Sequence, residues 1–347
     1  MKIVFTGGGT LGHVMPNIYL MEEFKSGEIS YIGSNGIEKE AVKNLDYYTI
    51  PAVKLARGKF FSNLKIPFVL INSIFKCRKI LKKIKPDVVF SKGGYVALPV
   101  CISAKMLKIP IIAHESDSSF GLANKIILKT CKYMCVNFKH LEEKNTKTKH
   151  RIIYTGPIFS KDFESNRKNF SGLKLEENKK TILIVGGSLG SKIINDNLFP
   201  IIKDLIKNYN LIHITGKGNM RIKSHDNYNA FETVKDMVNL YNIADAVVGR
   251  SGAGVSAESY FKKLPMLLIP LQNKATRGDQ MQNAKYYKNL GVAEILSEID
   301  LTPTTLFASI NNFMQNLDKY AKKYTSLKQV NGRESIVNLI KNMVEKS

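Results

Sequence analysis

The sequence is short of cysteine and of long apolar runs, and each shortage excludes a kind of protein. Its four cysteines are Cys77, Cys101, Cys131 and Cys135, and they form neither a Cys-x-x-Cys pair nor a cluster with histidine. A zinc site is therefore not expected, and unpatterned cysteines are typical of a reducing cytosol. No apolar run approaches the roughly 20 residues of a membrane span. A strand pattern begins at Lys2, where a signal peptide would show a different pattern.

Acidic residues are also scarce: 29 Asp and Glu stand against 52 Lys and Arg, which gives a formal net charge of +23. Such an excess predicts an anionic partner, either a nucleic acid, a phosphate-bearing substrate or an anionic membrane, although a bias toward lysine and asparagine would also raise it. The basic residues are spread widely, without a helix-turn-helix, zinc-finger or RNP signature. We therefore expect no nucleic-acid partner.

Short strand patterns such as "KIVFTG", "DVVFSKG", "TILIVGG" and "DAVVGRSG" alternate with helical patterns along the whole chain. Unbroken Val/Ile runs separated by helices indicate parallel sheets covered on both faces. The predicted fold class is α/β, with two Rossmann-like, doubly wound domains that face each other across a cleft. The polar stretch 156–180 predicts the join. We expect domains at 1–158 and 159–329, with a C-terminal helix at about 330–347 that packs on the first.

The same glycine turn occurs twice, as "GGTLG" at 8–12 and "GGSLG" at 186–190, each between a strand pattern and a helix pattern. Such a turn exposes backbone N–H groups beside the positive end of a helix dipole, which favours anions and above all phosphate. Ligands of doubly wound sheets bind beyond the carboxyl ends of the strands. Both turns are therefore candidate anion sites.

The first turn also reads as Gly-x-Gly-x-x-Gly over residues 7–12, the fingerprint of dinucleotide-binding domains. That fingerprint needs an acidic residue at the end of the second strand to bind the ribose. Gly33, Ser34 and Asn35 stand there instead. An NAD-dependent oxidoreductase is thus a weaker alternative.

Several segments together resemble one family along the whole chain. They are "GGTLGHVMP" (8–16), "GGYVALP" (93–99), "HESD" with "GLANK" (114–125), "GGSLGS" (186–191), "RSGAGVSAE" (250–258) and "DQMQNA" (279–284). The resemblance is to the inverting, two-domain (GT-B) glycosyltransferases of family 28 type that act in bacterial peptidoglycan synthesis. These enzymes transfer N-acetylglucosamine from UDP-N-acetylglucosamine to the C4 hydroxyl of N-acetylmuramic acid in undecaprenyl-pyrophosphoryl-N-acetylmuramyl-pentapeptide (lipid I), which forms lipid II.

The resemblance implies that UDP-N-acetylglucosamine binds mainly to the second domain. Glu258 would accept hydrogen bonds from the ribose, Val234 would lie against uracil, and Gln280 with Asp279 would contact the sugar hydroxyls. The full implied donor set is Thr10, Leu11, Gly12, Asp117, Ser188, Val234, Gly252, Ala253, Gly254, Val255, Ser256, Glu258, Asp279 and Gln280.

The first domain would then bind lipid I, with its pyrophosphate at glycine turns. The implied acceptor residues are Gly8, Gly9, Gly93, Gly94, Tyr95 and Asn124. His13 is the candidate catalytic base, because an imidazole with a pKa of about 6.5 accepts a proton near neutrality. Glu115 and Asp117 remain alternative bases. The sequence contains no Asp-x-Asp, the pair that holds a divalent ion in many glycosyltransferases, so we expect neither metal nor cofactor.

Aromatic and basic residues are interleaved between 54 and 85, a pattern that favours binding to an anionic membrane surface. The predicted membrane residues are Phe60, Phe61, Phe68, Ile71, Phe75, Lys76, Lys79, Lys82 and Lys83. We expect a peripheral protein on the cytoplasmic face of the cell membrane, with cell-wall synthesis proteins as further partners. A glycosyltransferase acting on diacylglycerol is the alternative within the same fold.

Overall fold

A computed structural model describes residues 1–43, 45–53, 64–144, 151–187, 189–272 and 278–345. The chain divides into two compact units. The first unit comprises Met1–Ser160 together with Val330–Ser347, and the second comprises Lys161–Gln329.

The first unit is built on a parallel sheet. Its strands are β1 (Lys2–Thr6), β2 (Glu28–Gly33), β3 (Asp46–Thr49), β4 (Val88–Ser91), β5 (Ile111–Glu115), β6 (Tyr133–Val136) and β7 (Ile152–Tyr154). Their order in the sheet is β3-β2-β1-β4-β5-β6-β7, and Val4 of β1 pairs with Ser30 on one side and Val89 on the other. Central strands buried on both faces explain the continuous Val/Ile runs of the sequence.

Helices connect these strands and cover the sheet. They are α1 (Leu11–Met21), α2 (Ile37–Ala41), α3 (Ile66–Ile84), α4 (Gly94–Met106), α5 (Leu122–Ile127) and α6 (Lys139–Lys144), with a 3₁₀ turn at Glu22–Phe24.

The second unit repeats this plan with a six-stranded parallel sheet. Its strands are β8 (Lys180–Val185), β9 (Tyr209–Ile214), β10 (Tyr228–Phe231), β11 (Ala246–Gly249), β12 (Met266–Leu268) and β13 (Ala293–Ile295), in the order β10-β9-β8-β11-β12-β13. The helices are α7 (Lys192–Leu198), α8 (Ile202–Leu205), α9 (Met237–Ile243), α10 (Ala253–Phe261), α11 (Asp279–Asn289), α12 (Pro303–Gln315) and α13 (Leu317–Lys323). Short 3₁₀ helices lie at Lys161–Glu164, Phe199–Ile201, Glu298–Asp300 and Tyr324–Ser326.

The last helix, α14 (Arg333–Glu345), belongs to the first unit. Its buried side chains, among them Ile336 and Ile340, pack in the same core cluster as Ile3 and Phe5 of β1. The chain enters this helix at Gly332, whose N–H donates to the carbonyl of Pro157 over 2.6 Å. Burial of the apolar stripe of the helix is the main force that holds it there.

The predicted class, α/β with two Rossmann-like domains, is confirmed by the two parallel sheets. The sequence pattern missed β13, because a three-residue strand with Glu294 at its centre shows no apolar run. It also missed α12, although Thr302 and Thr305 form a capping box around Pro303 at the first turn. That arrangement is a known helix-start signal.

The polar segment predicted as a linker is hydrogen-bonded along the second unit. Three asparagine side chains bind it in the same manner: the amide oxygen accepts the backbone N–H of one residue, and the amide nitrogen donates to the carbonyl of that residue. The pairs are Asn239 with Asn169, Asn229 with Lys174, and Asn210 with Glu176, over 2.7–2.9 Å. Each carboxamide thus makes the two hydrogen bonds that a neighbouring strand would make. It satisfies the backbone N–H and the carbonyl of one residue.

The core of the second unit contains a neutral histidine. His213 of β9 is fully buried, with Nε2 3.0 Å from Asn195 Oδ1 and Nδ1 3.0 Å from the hydroxyl of Tyr228. An amide oxygen only accepts, so Nε2 carries the hydrogen and Nδ1 accepts from the tyrosine. Burial lowers the pKa of His213 to about 4.

We expect the free energy of unfolding to fall as the pH drops from 6.5 to 4. The unfolded histidine binds a proton in this range while the folded one does not, and the stability present above pH 6.5 decreases by about 3 kcal/mol. Urea unfolding of the wild type and of His213→Gln at several pH values measures this. In the variant, the free energy of unfolding should fall less steeply with decreasing pH than in the wild type. His225→Gln, which changes an exposed histidine, should keep the wild-type slope. Equal slopes in all three proteins would contradict the assignment.

Candidate active site

Both glycine turns lie where the order of strands in their sheet reverses. β1 lies between β2 and β4, and β8 lies between β9 and β11. Successive crossovers leave a crevice at this point, beyond the carboxyl ends of the strands, and it is where doubly wound sheets bind ligands. The topology therefore places residues 7–12 and 186–190 at the equivalent position of each unit.

A buried asparagine on the following helix supports each turn. Asn17 of α1 donates to the carbonyl of Thr6 over 3.2 Å and to the hydroxyl of Tyr31, which in turn donates to the carbonyl of Gly7 over 2.7 Å. Asn195 of α7 occupies the matching place in the second unit and donates to the carbonyl of Thr215 over 2.9 Å. The repeat in the sequence therefore extends from the glycines to these asparagines, a signal that the motif search missed.

The first turn holds a carboxylate that the sequence analysis did not identify. Glu38 of α2 is completely buried, and its carboxylate accepts the N–H groups of Gly9 (3.2 Å) and Ser34 (2.9 Å) as well as the Ser34 hydroxyl. A Cβ at Gly8 would lie 2.5 Å from Glu38 Oε1, so glycine is needed for this approach. One amide of the first turn is thus already bonded to an internal anion.

The second turn is closed by backbone packing instead. Gly190 has a φ of +74°, and a side chain there would overlap the carbonyl of Thr215 and the Cα of Gly216. Leu189 at the tip of the turn is 84% exposed. Ser188, the predicted diphosphate contact, lies outside the described residues.

The carboxyl ends of β1 and β4 bring the predicted acceptor residues together. Gly94 has a φ of +83°, and a Cβ there would lie 3.5 Å from the carbonyl oxygen of Gly8 and 3.8 Å from His13 Nε2. The ring of Tyr95 covers Gly9, within 2.8 Å of where a Cβ would stand. Gly93 adjoins Asn124 so closely that a side chain at 93 would overlap the carboxamide. Two glycine turns and one imidazole therefore share one small region.

The tautomer of His13 follows from its backbone contact. Nδ1 lies 3.1 Å from the carbonyl oxygen of Lys92, and a carbonyl only accepts. In the neutral ring the hydrogen is therefore on Nδ1, and the basic lone pair is on Nε2, the atom that points toward Gly94.

His114, the other histidine in these loops, has a different environment. It is buried in β5, with Nε2 3.3 Å from the carbonyl of Gly156. Burial, together with the charge of Lys92, holds the pKa of His114 well below its ordinary value. This histidine is a neutral part of the core.

Glu115 organises the loop that follows β5. Its carboxylate is buried and accepts hydrogen bonds from the N–H groups of Asp117 and Gly121 and from Asn124 Nδ2, over 2.9–3.1 Å. The three donors engage this carboxylate in holding the loop. Asp117 is half-buried next to it. Of the three candidate bases, His13 is the one whose ring lies beside the Gly94 turn.

Lys92 is a buried ammonium that the sequence analysis passed over. It follows β4 directly, its Nζ donates to the Ser116 hydroxyl, and its carbonyl binds His13. Burial lowers the pKa of Lys92 to about 8, and the charges of Glu115 and Asp117 oppose this shift. The sequence does contain a signal for this residue, because a lysine directly between a buried strand and a Gly-Gly turn is unusual in position. At neutral pH Lys92 places positive charge at the start of the loop that follows β5, next to Ser116.

In the second unit, the N-terminus of α10 lies at the carboxyl end of β11. Gly252 precedes the helix in an extended conformation, and no side chain among the described residues caps this end. Among the described residues, a Cβ at Gly252 would meet no atom within 4 Å. The first-turn N–H groups of α10, left without a side-chain cap by the described residues, are of the kind that binds anions.

Glu258 lies on the same helix. Tyr241 donates to its Oε2 over 2.8 Å, and its Oε1 is 4.0 Å from the place of a Cβ on Gly254. Burial raises the pKa of Glu258, and the hydrogen bond from Tyr241 opposes that shift. The helix thus presents amides at its start and a carboxylate farther along.

Hydrogen bonds tie α11 to the α10 loop. The hydroxyl of Ser251 donates to the carbonyl of Gln280 over 2.7 Å, and Asn283 Nδ2 donates to the carbonyl of Ser251 over 3.1 Å. Gln280 Oε1 accepts the N–H of Leu271 over 3.0 Å. The loops after β11 and β12 are therefore held together.

A buried ion pair supports the same loops. Arg250 is bonded to Glu298, and its guanidinium also donates to the carbonyl of Ile269 over 3.1 Å.

The other predicted donor residues lie at the carboxyl edge of the sheet in their own unit. Val234 is half-buried in the loop after β10, and Asp279 begins α11. Ala253, Val255 and Ser256 form the first turn of α10. Thr10, Leu11 and Gly12 form the start of α1 in the first unit.

Within the described ranges no group of three or more His, Cys, Asp or Glu residues could hold a metal ion.

Helix α3 carries most of the predicted membrane residues. Phe68, Ile71 and Phe75 are 77%, 53% and 60% exposed. At 100° per residue they fall on one stripe that continues through Lys79 and Lys82. Lys76 and Lys83 are also exposed, whereas Phe60 and Phe61 lie outside the described residues. Among the described helices, none is long and apolar enough to cross a membrane.

The two parallel-sheet units, each with a glycine turn at the reversal point, define the chain as a GT-B type glycosyltransferase fold. Residues 3–136 match the N-terminal domain of glycosyltransferase family 28, and residues 181–340 match its C-terminal domain. The chain belongs to this family.

Full-length relatives carry one name: UDP-N-acetylglucosamine--N-acetylmuramyl-(pentapeptide) pyrophosphoryl-undecaprenol N-acetylglucosamine transferase. The protein from Clostridium botulinum (strain Alaska E43 / Type E3) is 42% identical over 100% of this chain and 98% of its own length. The one from Clostridium perfringens (strain SM101 / Type A) is 40% identical over 98% of each. The crystal structure of MurG from Acinetobacter baumannii superposes with a TM-score of 0.76 at 25% identity, and covers 98% of this chain and 99% of that one.

The contacts of Glu38 generate a testable expectation. In Glu38→Ala the N–H groups of Gly9 and Ser34 lose a charged acceptor, so the free energy of unfolding should fall by about 2 kcal/mol. Glu40→Ala, an exposed change on the same helix, should stay within about 0.5 kcal/mol of the wild type. Urea unfolding measures both. Equal stability of the two variants would show that the carboxylate does not hold the turn.

Proposed function

We propose that this protein transfers N-acetylglucosamine from UDP-N-acetylglucosamine to the C4 hydroxyl of N-acetylmuramic acid in lipid I, with inversion at the anomeric carbon, to form lipid II. The observation that carries the proposal is the end-to-end similarity to relatives with this activity in their names. The carboxyl-edge site in each unit supports it, because it supplies groups suited to the two substrates.

The donor binds to the second unit in this proposal. The open first-turn amides of α10 and the Gly186–Gly190 turn bind the diphosphate, Glu258 accepts hydrogen bonds from the ribose hydroxyls, and Gln280 with Asp279 contacts the sugar. As the glycosidic bond to the phosphate breaks, negative charge grows on the leaving UDP. Fixed N–H groups and the helix dipole stabilise that charge without reorganising.

The acceptor binds to the first unit, near Gly93–Gly94 and Tyr95. His13 Nε2 accepts the proton of the C4 hydroxyl as the oxygen forms a bond to the anomeric carbon. The imidazolium so formed keeps its Nδ1–H bond to the carbonyl of Lys92. The ammonium of Lys92, bonded to Ser116, adds positive charge to the acceptor side of this unit.

The proposed roles predict different losses in two variants. His13→Asn keeps an amide that can donate to the carbonyl of Lys92 but has no basic nitrogen, so turnover should fall roughly 100-fold or more while UDP binding is unchanged. Glu258→Gln should weaken UDP binding roughly tenfold or more, because a charged acceptor is lost. Transfer of labelled N-acetylglucosamine to lipid I and calorimetric titration with UDP measure these effects.

Two controls accompany these variants. His225→Asn and Glu177→Gln change residues away from the turns and should behave as wild type. Parallel reactions with EDTA, and with diacylglycerol as acceptor, test metal dependence and the alternative substrate. Faster transfer to diacylglycerol than to lipid I would overturn the proposal.

We also infer that helix α3 docks on the cytoplasmic face of the cell membrane, where the polyprenyl anchor of lipid I lies. Three exposed apolar side chains on one stripe would insert between lipids, and the lysines that follow would meet anionic headgroups. Cell-wall synthesis proteins acting on the same lipid are the proposed neighbours there.

The stripe gives a direct binding test. Phe68→Ser/Ile71→Ser/Phe75→Ser should lose co-sedimentation with vesicles of phosphatidylglycerol and phosphatidylcholine, while keeping its affinity for UDP. Phe170→Ser, which removes an exposed aromatic of the second unit, is the matched control and should sediment as wild type. Unchanged sedimentation of the triple variant would refute docking through α3.

A further inference from the structure

Tyr241 is a fully buried tyrosine whose hydroxyl reaches the proposed ribose-binding carboxylate. It lies on α9, is 1% exposed, and donates to Glu258 Oε2 over 2.8 Å. The sequence motifs do not include it, because α9 precedes β11 and is separated from α10 in the chain. Only the packing of the two helices brings the pair together.

The ring of Tyr241 has little freedom to move. It packs against Phe163 with ring centroids 6.2 Å apart, and Phe163 packs in turn against Phe261 of α10 at 6.5 Å. Phe163 is itself buried, on the 3₁₀ helix Lys161–Glu164. This packing and the burial of both rings restrict the position of the Tyr241 hydroxyl.

The direction of the hydrogen bond is also fixed. Burial and the neighbouring carboxylate hold the pKa of Tyr241 well above its ordinary value, so the phenol stays protonated and donates. The same bond opposes the effect of burial on the pKa of Glu258. An ionised carboxylate offers only acceptors, and this is the form that ribose hydroxyls require.

We propose that Tyr241 is a positioning residue for donor recognition: it holds the Glu258 carboxylate oriented so that Oε1, with the remaining lone pair of Oε2, accepts the ribose 2′ and 3′ hydroxyls. The inference rests on the proposed donor role of Glu258. It assigns the ribose selectivity of the site to a pair of residues.

Tyr241→Phe removes one oxygen and keeps the ring in its packing. Its affinity for UDP should fall roughly 3- to 10-fold, which corresponds to the loss of one hydrogen bond to a charged group. Its affinity for 2′,3′-dideoxy-UDP, which lacks the ribose hydroxyls, should change less than about twofold. In the transfer reaction the KM for the donor should rise while kcat at saturating donor stays within about twofold, since the hydroxyl does not touch the reacting atoms.

Calorimetric titration of both ligands into Tyr241→Phe, Glu258→Gln and the double variant separates the possible outcomes. Tyr260→Phe is the matched control. Tyr260 lies on α10, the helix of Glu258, but its hydroxyl donates to the carbonyl of Lys328. This variant should bind both ligands as the wild type does. In the Glu258→Gln background the tyrosine change should have no further effect. Thermal unfolding of each variant shows whether the fold is kept.

Equal weakening of UDP and dideoxy-UDP by Tyr241→Phe would overturn the inference, because the effect would then be independent of the ribose hydroxyls. Normal UDP binding by Tyr241→Phe, with weak binding by Glu258→Gln, would also overturn it and leave the proposed donor role intact. Normal UDP binding by Glu258→Gln would instead refute the donor role itself, and the inference with it.

Discussion

Each unit depends on a buried carboxamide that fixes the end of a strand next to a glycine turn. Asn17 donates to the carbonyl of Thr6, which also accepts the N–H of Lys92, and Asn195 donates to the carbonyl of Thr215 just beyond the end of β9. Each such hydrogen bond contributes about 1 kcal/mol. The glycines can lie against neighbouring main chain because this support keeps the strand ends in place, and the positions of both sites follow from it.

The two glycine turns share the sequence pattern Gly-Gly-(Thr/Ser)-Leu-Gly, but the charges around them differ. In the first, the buried carboxylate of Glu38 accepts the N–H of Gly9; in the second, Gly190 packs on the backbone of Thr215 and Gly216. An internal carboxylate repels a phosphate placed on the same amides. The two turns therefore offer an anion different surroundings, although their glycines occupy equivalent positions in the two sheets.

Most of the fold was predictable from the sequence, because buried parallel strands give continuous apolar runs and their carboxyl ends meet at one edge. The same rule brought His13, Gly93 and Gly94 together correctly within the first unit. Lys92 was missed although it directly precedes the Gly93–Gly94 turn. Glu38 and Tyr241 were missed because each reaches Gly9 or Glu258 through packing between elements that are distant in the chain. No local pattern records that kind of contact.

The spacing between amides and carboxylate explains why the second unit suits a sugar nucleotide. Glu258 lies about 9 Å along the helix axis from Gly252, at 1.5 Å per residue, so its charge is separated from the open amides at the helix start. In the proposed donor site, one helix binds two chemically opposite groups, a diphosphate at its N-terminus and hydroxyl donors nearly two turns later. Burial favours protonation of that carboxylate, which would oppose the second of these proposed roles. The hydroxyl of Tyr241, held by Phe163, counteracts this effect and so links the packing of α9 to the chemistry of α10.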